Sequence, residues 1–327
     1  MGFCRLLSST FVVTISGCSL FIDVGGLAGD ATPVDAPDAA EAATDGPRLV
    51  GDPVDAGALE AEAPSIPCST LPMTSWEAPR RLNLLGDNGA LYFEDPSVSA
   101  DGLTLWASKR VAACEHAIYR GTRARDQSFA TLVKQDVPGI YCAPPYPSEV
   151  VADEVFLSAQ GGGGSAVSRA SRAGNVWTTI PIAGFDTSDF EFSQVITQDR
   201  VYMLFNRAGA NPQNPFSIFI TASRSGPTAT VWRQEQQPAA PPNYVPSSIA
   251  MTSDGLGLFW STKDARVWFL KRATRGEDIA SRWASAIEIP ALEGGAARVR
   301  SITADGCEVY LTSDRGGVTD TYVAKRR

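Results

Sequence analysis

The chain has 327 residues, of which 44% are hydrophobic and 20% charged, and it carries a formal net charge of -8. This length and apolar content allow a sizeable buried core and exclude a mini-protein, a collagen and a wholly disordered polymer. The acidic excess lies in residues 23–62, whereas residues 63–327 hold 26 acidic and 26 basic side chains, so we expect no nucleic-acid partner.

The first 17 residues have the features of an export signal. Arg5 supplies the positive charge, Leu6–Ile15 a mostly apolar stretch, and small residues precede Cys18. This stretch is too short for a membrane-spanning helix. Ile15-Ser16-Gly17-Cys18 resembles the bacterial lipobox, whose Cys is acylated and becomes the new N-terminus. Cys18 is therefore the predicted lipidation site, and the alternative is an ordinary cleaved signal in which this Cys is accidental.

Acylation of Cys18 would place the mature protein on a membrane, because two or more acyl chains give a stable anchor. Ser19 follows the Cys at the position where, by resemblance to Gram-negative lipoproteins, Asp would favour retention in the inner membrane. The sequence therefore predicts an outer-membrane lipoprotein of a Gram-negative bacterium, facing the periplasm or the cell surface.

Residues 18–66 are predicted to form a disordered acidic tether. The segment is rich in Ala, Pro, Asp and Gly and has no periodic apolar face, so it cannot bury enough surface to offset its ordering entropy. As a flexible coil its last 44 residues would span roughly 36 Å, and like charges and prolines should extend it further. The alternative is an acidic segment that binds a partner.

From about residue 76 the chain repeats itself with a period near 51 residues. Each repeat has an anchor aspartate followed by a short apolar strand, and the anchors lie 52, 46, 55 and 51 residues apart: Asp101, Asp153, Asp199, Asp254 and Asp305. A second strand with basic residues follows each anchor, at Tyr119–Arg123, Ser168–Arg172, Phe219–Arg224, Phe269–Arg275 and Tyr322–Arg326.

An aromatic-led strand then begins near Phe129, Trp177, Trp232 or Trp283, but none follows the fifth repeat. Its counterpart stands at the beginning, at Trp76–Pro79. Repeated short strands with Asp-Gly turns are typical of a β-propeller with four strands per blade. We predict an all-β, five-bladed propeller over residues 67–327, in which the N-terminal strand completes the last blade and closes the ring. A solenoid is the alternative architecture, but a solenoid would not need its N-terminal strand to complete the last repeat.

The segment Pro96-Ser97-Val98-Ser99-Ala100-Asp101-Gly102-Leu103-Thr104-Leu105 resembles the TolB-like, WD40-like propeller repeat of bacterial envelope proteins. The resemblance covers about 250 residues, but Asp153 and Asp199 lack the following Gly. TolB-like domains commonly have six blades, so a six-bladed ring is the alternative. The resemblance implies binding of proteins or peptides, and it transfers no catalytic residue.

Four cysteines remain outside the signal, in a compartment that favours disulfides. In a propeller, Cys114 and Cys142 lie in adjacent loops on one face, while Cys68 and Cys307 lie in the last blade at the other face. We therefore predict the pairs Cys114–Cys142 and Cys68–Cys307, with free buried thiols as the alternative. No metal is expected, because His116 is the only His and no Cys-x-x-Cys is present. No cofactor is implied.

The innermost strands of the first three blades begin with carboxylates, at Glu94 and Asp95 in the first, Glu149 in the second and Glu191 in the third. These strand starts should converge on the ring axis, and five-bladed glycosidases use three such carboxylates. Their register relative to the anchor aspartate differs between blades, and Arg298 and Arg300 occupy the fifth blade. We interpret Asp95, Glu149, Glu191 and Arg300 as candidate ligand-binding residues, with ordinary solvated strand ends as the alternative.

The face of the ring on which the inner strands begin, here called the top face, should also carry long aromatic loops. Gln135–Ser148 contains Tyr146, and Glu235–Pro246 contains Tyr244. Tyr and Pro offer contact area at low entropic cost, so these loops are candidate binding elements unless they pack on one another.

These features favour a non-catalytic, lipid-anchored propeller that binds a protein or a glycan. Two hypotheses from other classes remain: a carbohydrate-active hydrolase that uses Asp95, Glu149 and Glu191, and a purely structural envelope component. No nucleophile-elbow sequence accompanies His116, so the sequence assigns no catalytic residue.

Overall fold

The structure, a computed structural model, describes residues 68–327 except for 88, 91, 113–114, 126, 139–147, 152–153, 162–163, 183–184, 186–189, 209–216, 227–230, 237–245, 276 and 278. Glu62–Arg327 forms one compact unit. Several predicted features lie outside the described residues: the signal (1–17), Cys18, the tether (18–66), Cys114, Cys142, Tyr146 and Tyr244. In the described part, no helix is long and apolar enough to cross a membrane.

The described strands form five four-stranded antiparallel sheets and one small hairpin. The chain begins with β1 (Arg80–Arg81) and the hairpin β2 (Leu85–Gly86) and β3 (Gly89–Ala90). Blade 1 is β4 (Glu94–Val98), β5 (Thr104–Ala112), β6 (Glu115–Thr122) and β7 (Val133–Gln135). Blade 2 is β8 (Ser148–Val151), β9 (Glu154–Gly161), β10 (Gly164–Ala173) and β11 (Val176–Pro181).

The same four-strand order continues in the later blades. Blade 3 is β12 (Phe190–Ile196), β13 (Tyr202–Ala208), β14 (Ser217–Ser223) and β15 (Arg233–Gln236). Blade 4 is β16 (Pro246–Met251), β17 (Gly257–Thr262), β18 (Val267–Lys271) and β19 (Ile287–Glu288). Blade 5 is β20 (Arg298–Ile302), β21 (Glu308–Ser313), β22 (Asp320–Lys325) and, as its outer strand, β1.

The five first strands contact one another around the ring axis. The five-bladed propeller is therefore confirmed, and the six-bladed alternative is wrong. The N-terminal closing strand is also confirmed, because β1 pairs with β22 and Trp76 bridges to Arg326.

The hydrophobic core lies between the blades, in five clusters that each join two neighbouring sheets. Second strands are apolar on both faces because each blade packs against a neighbour on either side; β17 and β21 are buried at every position. Aromatic pairs cross these boundaries edge to face, such as Trp106 with Trp177 and Trp76 with Phe259.

The anchor aspartate shapes the turn between the first and second strands of a blade. In blade 1, Asp101 Oδ1 accepts the Leu103 N–H at 3.0 Å and the Ser99 hydroxyl at 2.5 Å. The same contacts recur around Asp199, Asp254 and Asp305. The next residue has a positive φ, and Arg200 adopts it (φ +60°) where blade 3 lacks the usual Gly. The aspartate contacts are common to these turns, whereas the Gly lowers backbone strain and, at Gly255, avoids a Cβ that would lie 2.8 Å from Thr197.

A repeated arginine lies at the end of the third strand in blade 2 and directly after the third strand in the other four blades. The preceding residue pairs with the first residue of the second strand, which gives all five blades a common register. In four blades the guanidinium lies over the outer aromatic side chain, 4.7–5.9 Å from the ring centre: Arg123–Phe129, Arg172–Trp177, Arg224–Trp232 and Arg326–Trp76. The N-terminal Trp76 thus occupies the outer aromatic position of blade 5.

Blade 4 departs from this pattern. Its arginine, Arg272, lies over Tyr202 of blade 3 at 5.1 Å. The prediction that a strand begins near Trp283 is wrong. Trp283 lies in a 3-10 helix, Ile279–Ser285, and β19 begins only at Ile287. The segment is rich in Ala and Ser and lacks the β-branched alternation of a strand, which explains the helical turn.

Cys68 and Cys307 form a disulfide with their Cα atoms 5.6 Å apart and 239 residues apart in sequence. It links the segment before the closing strand to the start of β21, within the blade that the N-terminal strand completes.

The boundary between blades 5 and 1 is also joined by polar side chains. Blade 5 side chains accept hydrogen bonds from the backbone of the inner strand of blade 1 and of the residue just before it. The pairs are Phe93 N–H to Asp320, Asp95 N–H to Thr312, and Val98 N–H to Ser301. Arg123 Nη2 lies 2.5 Å from Glu308 Oε2 across the same boundary. The place where the ring closes is therefore held by directional contacts as well as by packing.

Glu308 makes the stability of this boundary depend on pH. Burial opposes ionisation of Glu308, but hydrogen bonds from Arg123 and Tyr310 and the charge of Arg123 outweigh it, so its pKa lies below the ordinary 4.5. A depressed pKa stabilises the folded state above pH 4.5, and this contribution disappears as the pH falls through the folded-state value.

Thermal unfolding midpoints of wild type and Glu308→Gln, measured from pH 7 to pH 3, test this contribution. We expect the wild type to lose more stability than the variant below pH 4.5, and the variant to start from a lower midpoint. Parallel pH profiles for the two proteins would contradict the assignment to Glu308.

Candidate functional site

The inner strands of the five blades run in the same direction around the axis, so their starts gather at the top face. Each inner strand carries a bulge where the pairing register shifts, at a position that differs between blades: Glu94/Ser97, Glu149/Val151, Phe192/Val195, Pro246/Ser248 and Val299/Ser301. A bulge turns side chains out of the regular ladder and is common near functional sites. Each of the five bulges inserts one residue into the inner strand.

Asp95 and Arg300 both lie in such bulges, and the structure brings them together. Arg300 Nη2 is 2.5 Å from Asp95 Oδ1, and the two side chains are only 4% and 2% exposed. Asp95 has a left-handed backbone (φ +53°), and its N–H donates to Thr312 at 2.9 Å. Two of the predicted ligand-binding residues thus pair with each other across the boundary between blades 5 and 1.

Glu149 and Glu191 are described only through their backbone, and they lie at different levels. Glu149 is opposite Val155, the second residue of β9, whereas Glu191 is opposite Arg207, the sixth residue of β13. In the common register this is an offset of four residues, or about 13 Å along the strand direction. The inner strands therefore do not present the three predicted carboxylates as one ring.

Two further titratable groups surround the Asp95–Arg300 pair. Glu94 is half-buried, and its pKa is raised by burial and by the charge of Asp95, against opposing effects of Arg300, Arg298 and Arg110. Burial lowers the pKa of His116, although the charge of Asp95 opposes this. The buried His116 Nδ1 has no hydrogen-bond partner among the described residues.

The sequence placed Glu94 beside Asp95 at the start of the same inner strand, but it did not assign His116 to this site. His116 lies on β6, opposite Arg110 of β5, so its position follows from a hairpin that the repeat pattern does not resolve. The only sequence signal for His116 was that the chain contains no other histidine. Arg298 and Arg110 are exposed near the top face, so their charges are accessible to solvent whereas the Asp95–Arg300 pair is buried.

Among the described residues, Cys68, Asp305 and Cys307 offer possible metal-ligand atoms within 4.8 Å of one another. The two sulfurs are joined in the disulfide and so supply no thiolate. The arrangement at the axis, by contrast, combines a neutralised buried ion pair with exposed guanidinium groups, which suits recognition of a polar or acidic ligand group.

No protein-family model and no curated protein matches the chain. Solved structures similar to it include TolB from Acinetobacter baumannii, with 12% identity, a TM-score of 0.39 and coverage of 56% of this chain and 41% of TolB. The PQQ-bound aldose sugar dehydrogenase from Streptomyces coelicolor has 12% identity and a TM-score of 0.44, covering 77% of this chain and 98% of that one. An engineered GH43 glycoside hydrolase has 14% identity and a TM-score of 0.46, covering 72% and 50%.

These proteins share the propeller fold with this chain, and both enzymes and a non-enzyme are among them. The chain spans less than half of the TolB structure. At such identities the similarity concerns the fold alone, so the function has to be argued from the chain's own residues.

Proposed function

We propose that this protein is a lipid-anchored envelope propeller that binds a protein or glycan partner at its top face without catalysing a reaction. The observation that carries the proposal is the buried ion pair between Asp95 and Arg300. A catalytic carboxylate must reach the substrate, whereas Asp95 is enclosed and neutralised by a side chain of the neighbouring blade.

The backbone levels of Glu149 and Glu191 support the same conclusion. Glycoside hydrolysis needs two carboxyl groups about 5–9.5 Å apart on either side of one bond. An offset of about 13 Å along the inner strands does not favour such a pair. A rigid ring with exposed charged groups at one face suits binding better than it suits this chemistry.

The location rests on the N-terminal sequence. The lipobox-like Ile15–Cys18 supports an acyl anchor, Ser19 supports the outer membrane of a Gram-negative bacterium, and the acidic segment 18–66 would hold the propeller away from the lipid surface. Replacing Cys18 with serine should release the protein into the soluble fraction of the envelope.

Binding by the top face can be tested with the full chain carrying Cys18→Ser, since it needs no detergent. Peptidoglycan fragments, lipopolysaccharide and detergent-solubilised envelope proteins would be tested as separate ligands. We expect Arg298→Glu to weaken the measured interaction at least about tenfold, a change of roughly 1.4 kcal/mol. Arg125→Glu is the matched control, because this exposed arginine follows the third strand of blade 1 on the opposite face.

The alternatives give different results in the same assays. Release of reducing sugars from oligosaccharides would identify a hydrolase, and the absence of any ligand in all three fractions would favour a purely structural component. Equal losses in Arg298→Glu and Arg125→Glu would contradict the top face as the binding surface.

A further inference from the structure

A cavity of about 270 Å³ lies beside the closing strand, between β1 and the segment that leads into β4. Its lining includes Arg81, Leu82, Leu84, Leu85, Tyr92 and Asp320. This volume is at or below the lower end of the range for small-molecule sites, about 300–1,000 Å³. It therefore suits one side chain or one ring better than a whole cofactor.

The cavity combines a buried apolar base with exposed apolar walls. Leu82 and Leu84 are buried, whereas Leu85 and Tyr92 are 46% and 53% exposed. Exposed large apolar side chains at a concave site mark interaction surfaces more often than the same side chains scattered singly. An aliphatic wall at Leu85 suits an apolar side chain better than a sugar ring, which stacks on aromatic faces.

Arg81 and Tyr92 form a preorganised pair at the rim. Arg81 Nε lies 2.5 Å from the buried Asp320 Oδ2, and its guanidinium lies 5.2 Å from the centre of the Tyr92 ring. Asp320 also accepts the backbone N–H groups of Phe93 and Thr321, so its position is fixed. Tyr and Arg are enriched among the residues that dominate protein interfaces.

The strand beside the cavity is open on its outer side. Leu82 N–H donates to Thr321 of β22 at 2.9 Å, so the alternation of an antiparallel pair directs the N–H and C=O of Arg81 away from β22. β1 is the outermost strand of its sheet, and no described strand pairs with its outer side. An extended peptide can therefore add to this edge.

The charge at this edge favours an acidic partner. Asp320 is compensated by Arg81, and the neighbouring Arg80 is exposed with no ion pair among the described residues. An acidic side chain near the bound backbone would meet Arg80 without first displacing another carboxylate.

We propose that this cavity binds an extended peptide segment of a partner protein, with an apolar side chain between Leu85 and Tyr92 and an acidic side chain opposite Arg80. The proposal rests on the proposed function only in assuming a protein partner. The site is built from the closing strand and does not include Arg298.

The test uses a phage-displayed library of 12-residue peptides, panned against the full chain carrying Cys18→Ser. Selected peptides are then synthesised and titrated by fluorescence anisotropy. We expect a shared motif in which an apolar residue lies one or two positions from Asp or Glu. Tyr92→Ala and Arg80→Glu should each weaken these peptides at least about tenfold.

The controls make an apolar-to-Ala and an Arg-to-Glu change at exposed positions on the outer strands of other blades: Val176→Ala on β11 and Arg233→Glu on β15. They should leave affinity within about twofold of wild type. Far-UV circular dichroism and thermal midpoints would show that all four variants remain folded.

Several results would overturn the peptide site. Failure to enrich a motif, equal affinity in Tyr92→Ala, or binding of chitooligosaccharides that Tyr92→Ala abolishes would each do so. If Arg298→Glu removes binding of the natural partner while the peptides still bind at the cavity, the two sites are distinct. Loss of peptide binding in Arg298→Glu alone would place it at the top face and contradict this inference.

Discussion

Replacement of Cys68 and Cys307 by serine will lower the free energy of unfolding by about 2–5 kcal/mol. The disulfide closes a loop of 239 residues, so it constrains the unfolded chain strongly. It also holds the N-terminal segment to the blade that this segment completes. Without it, the N-terminal segment is held to blade 5 by the short β1 pairing, the contacts of Trp76 and a few hydrogen bonds, such as that from Glu77 N–H to Lys325.

Urea unfolding of the wild type and the double variant measures this effect, with fluorescence of the seven tryptophans as the probe. The double variant also isolates the second predicted disulfide. If Cys114 and Cys142 are paired, adding a reductant should destabilise the double variant further; if they are free thiols, the reductant should have no effect. A double variant as stable as the oxidised wild type would show that the disulfide does not secure the closure.

The closure scheme was predictable because it follows from counting repeats. Four aromatic-led segments followed five anchors, and Trp76 supplied the missing one. The structure adds that Trp76 packs against Phe259 of blade 4 and under Arg326. A repeated local pattern reveals which strand belongs to which blade, since each blade needs the same set of strands.

The polar contacts at the same boundary were not predictable. Asp320, Thr312 and Ser301 are ordinary strand residues in the sequence, and their partners are backbone groups more than 200 residues away. Such contacts depend on the three-dimensional register between two sheets. The bulges that set this register leave no mark in a single sequence, because an extra residue in a strand resembles any other strand residue.

The candidate site shows the same division. The sequence placed Asp95 and Arg300 near the axis, because both stand at the start of an inner strand. Their direct pairing could not be deduced, since it requires the bulge in each strand. The sequence showed that Glu149 and Glu191 are spaced differently from their anchor aspartates. The offset between them along the strand direction follows only from the strand pairing.

Arg300→Met will destabilise the protein by about 3–5 kcal/mol, because it leaves the buried Asp95 carboxylate without its cation. Asp95→Asn should cost less, since Asn tolerates the left-handed backbone and retains hydrogen-bonding capacity. The double variant should be more stable than Arg300→Met alone, because it no longer buries an unpaired charge. Chemical denaturation of the four proteins gives the coupling energy directly.

This cycle also separates a structural role of Asp95 from a catalytic one. If the ion pair serves to join blades 5 and 1, Asp95→Asn and Arg300→Met should both lower the free energy of unfolding, and their effects should not be additive. Ligand affinity should then fall only in proportion to the fraction of protein that is unfolded. If Asp95 acts on a substrate, Asp95→Asn should leave the denaturation midpoint nearly unchanged and still abolish turnover of an oligosaccharide. A large coupling energy with unchanged ligand affinity in the double variant would therefore support a binding propeller, since the axial carboxylate then serves to hold the ring together.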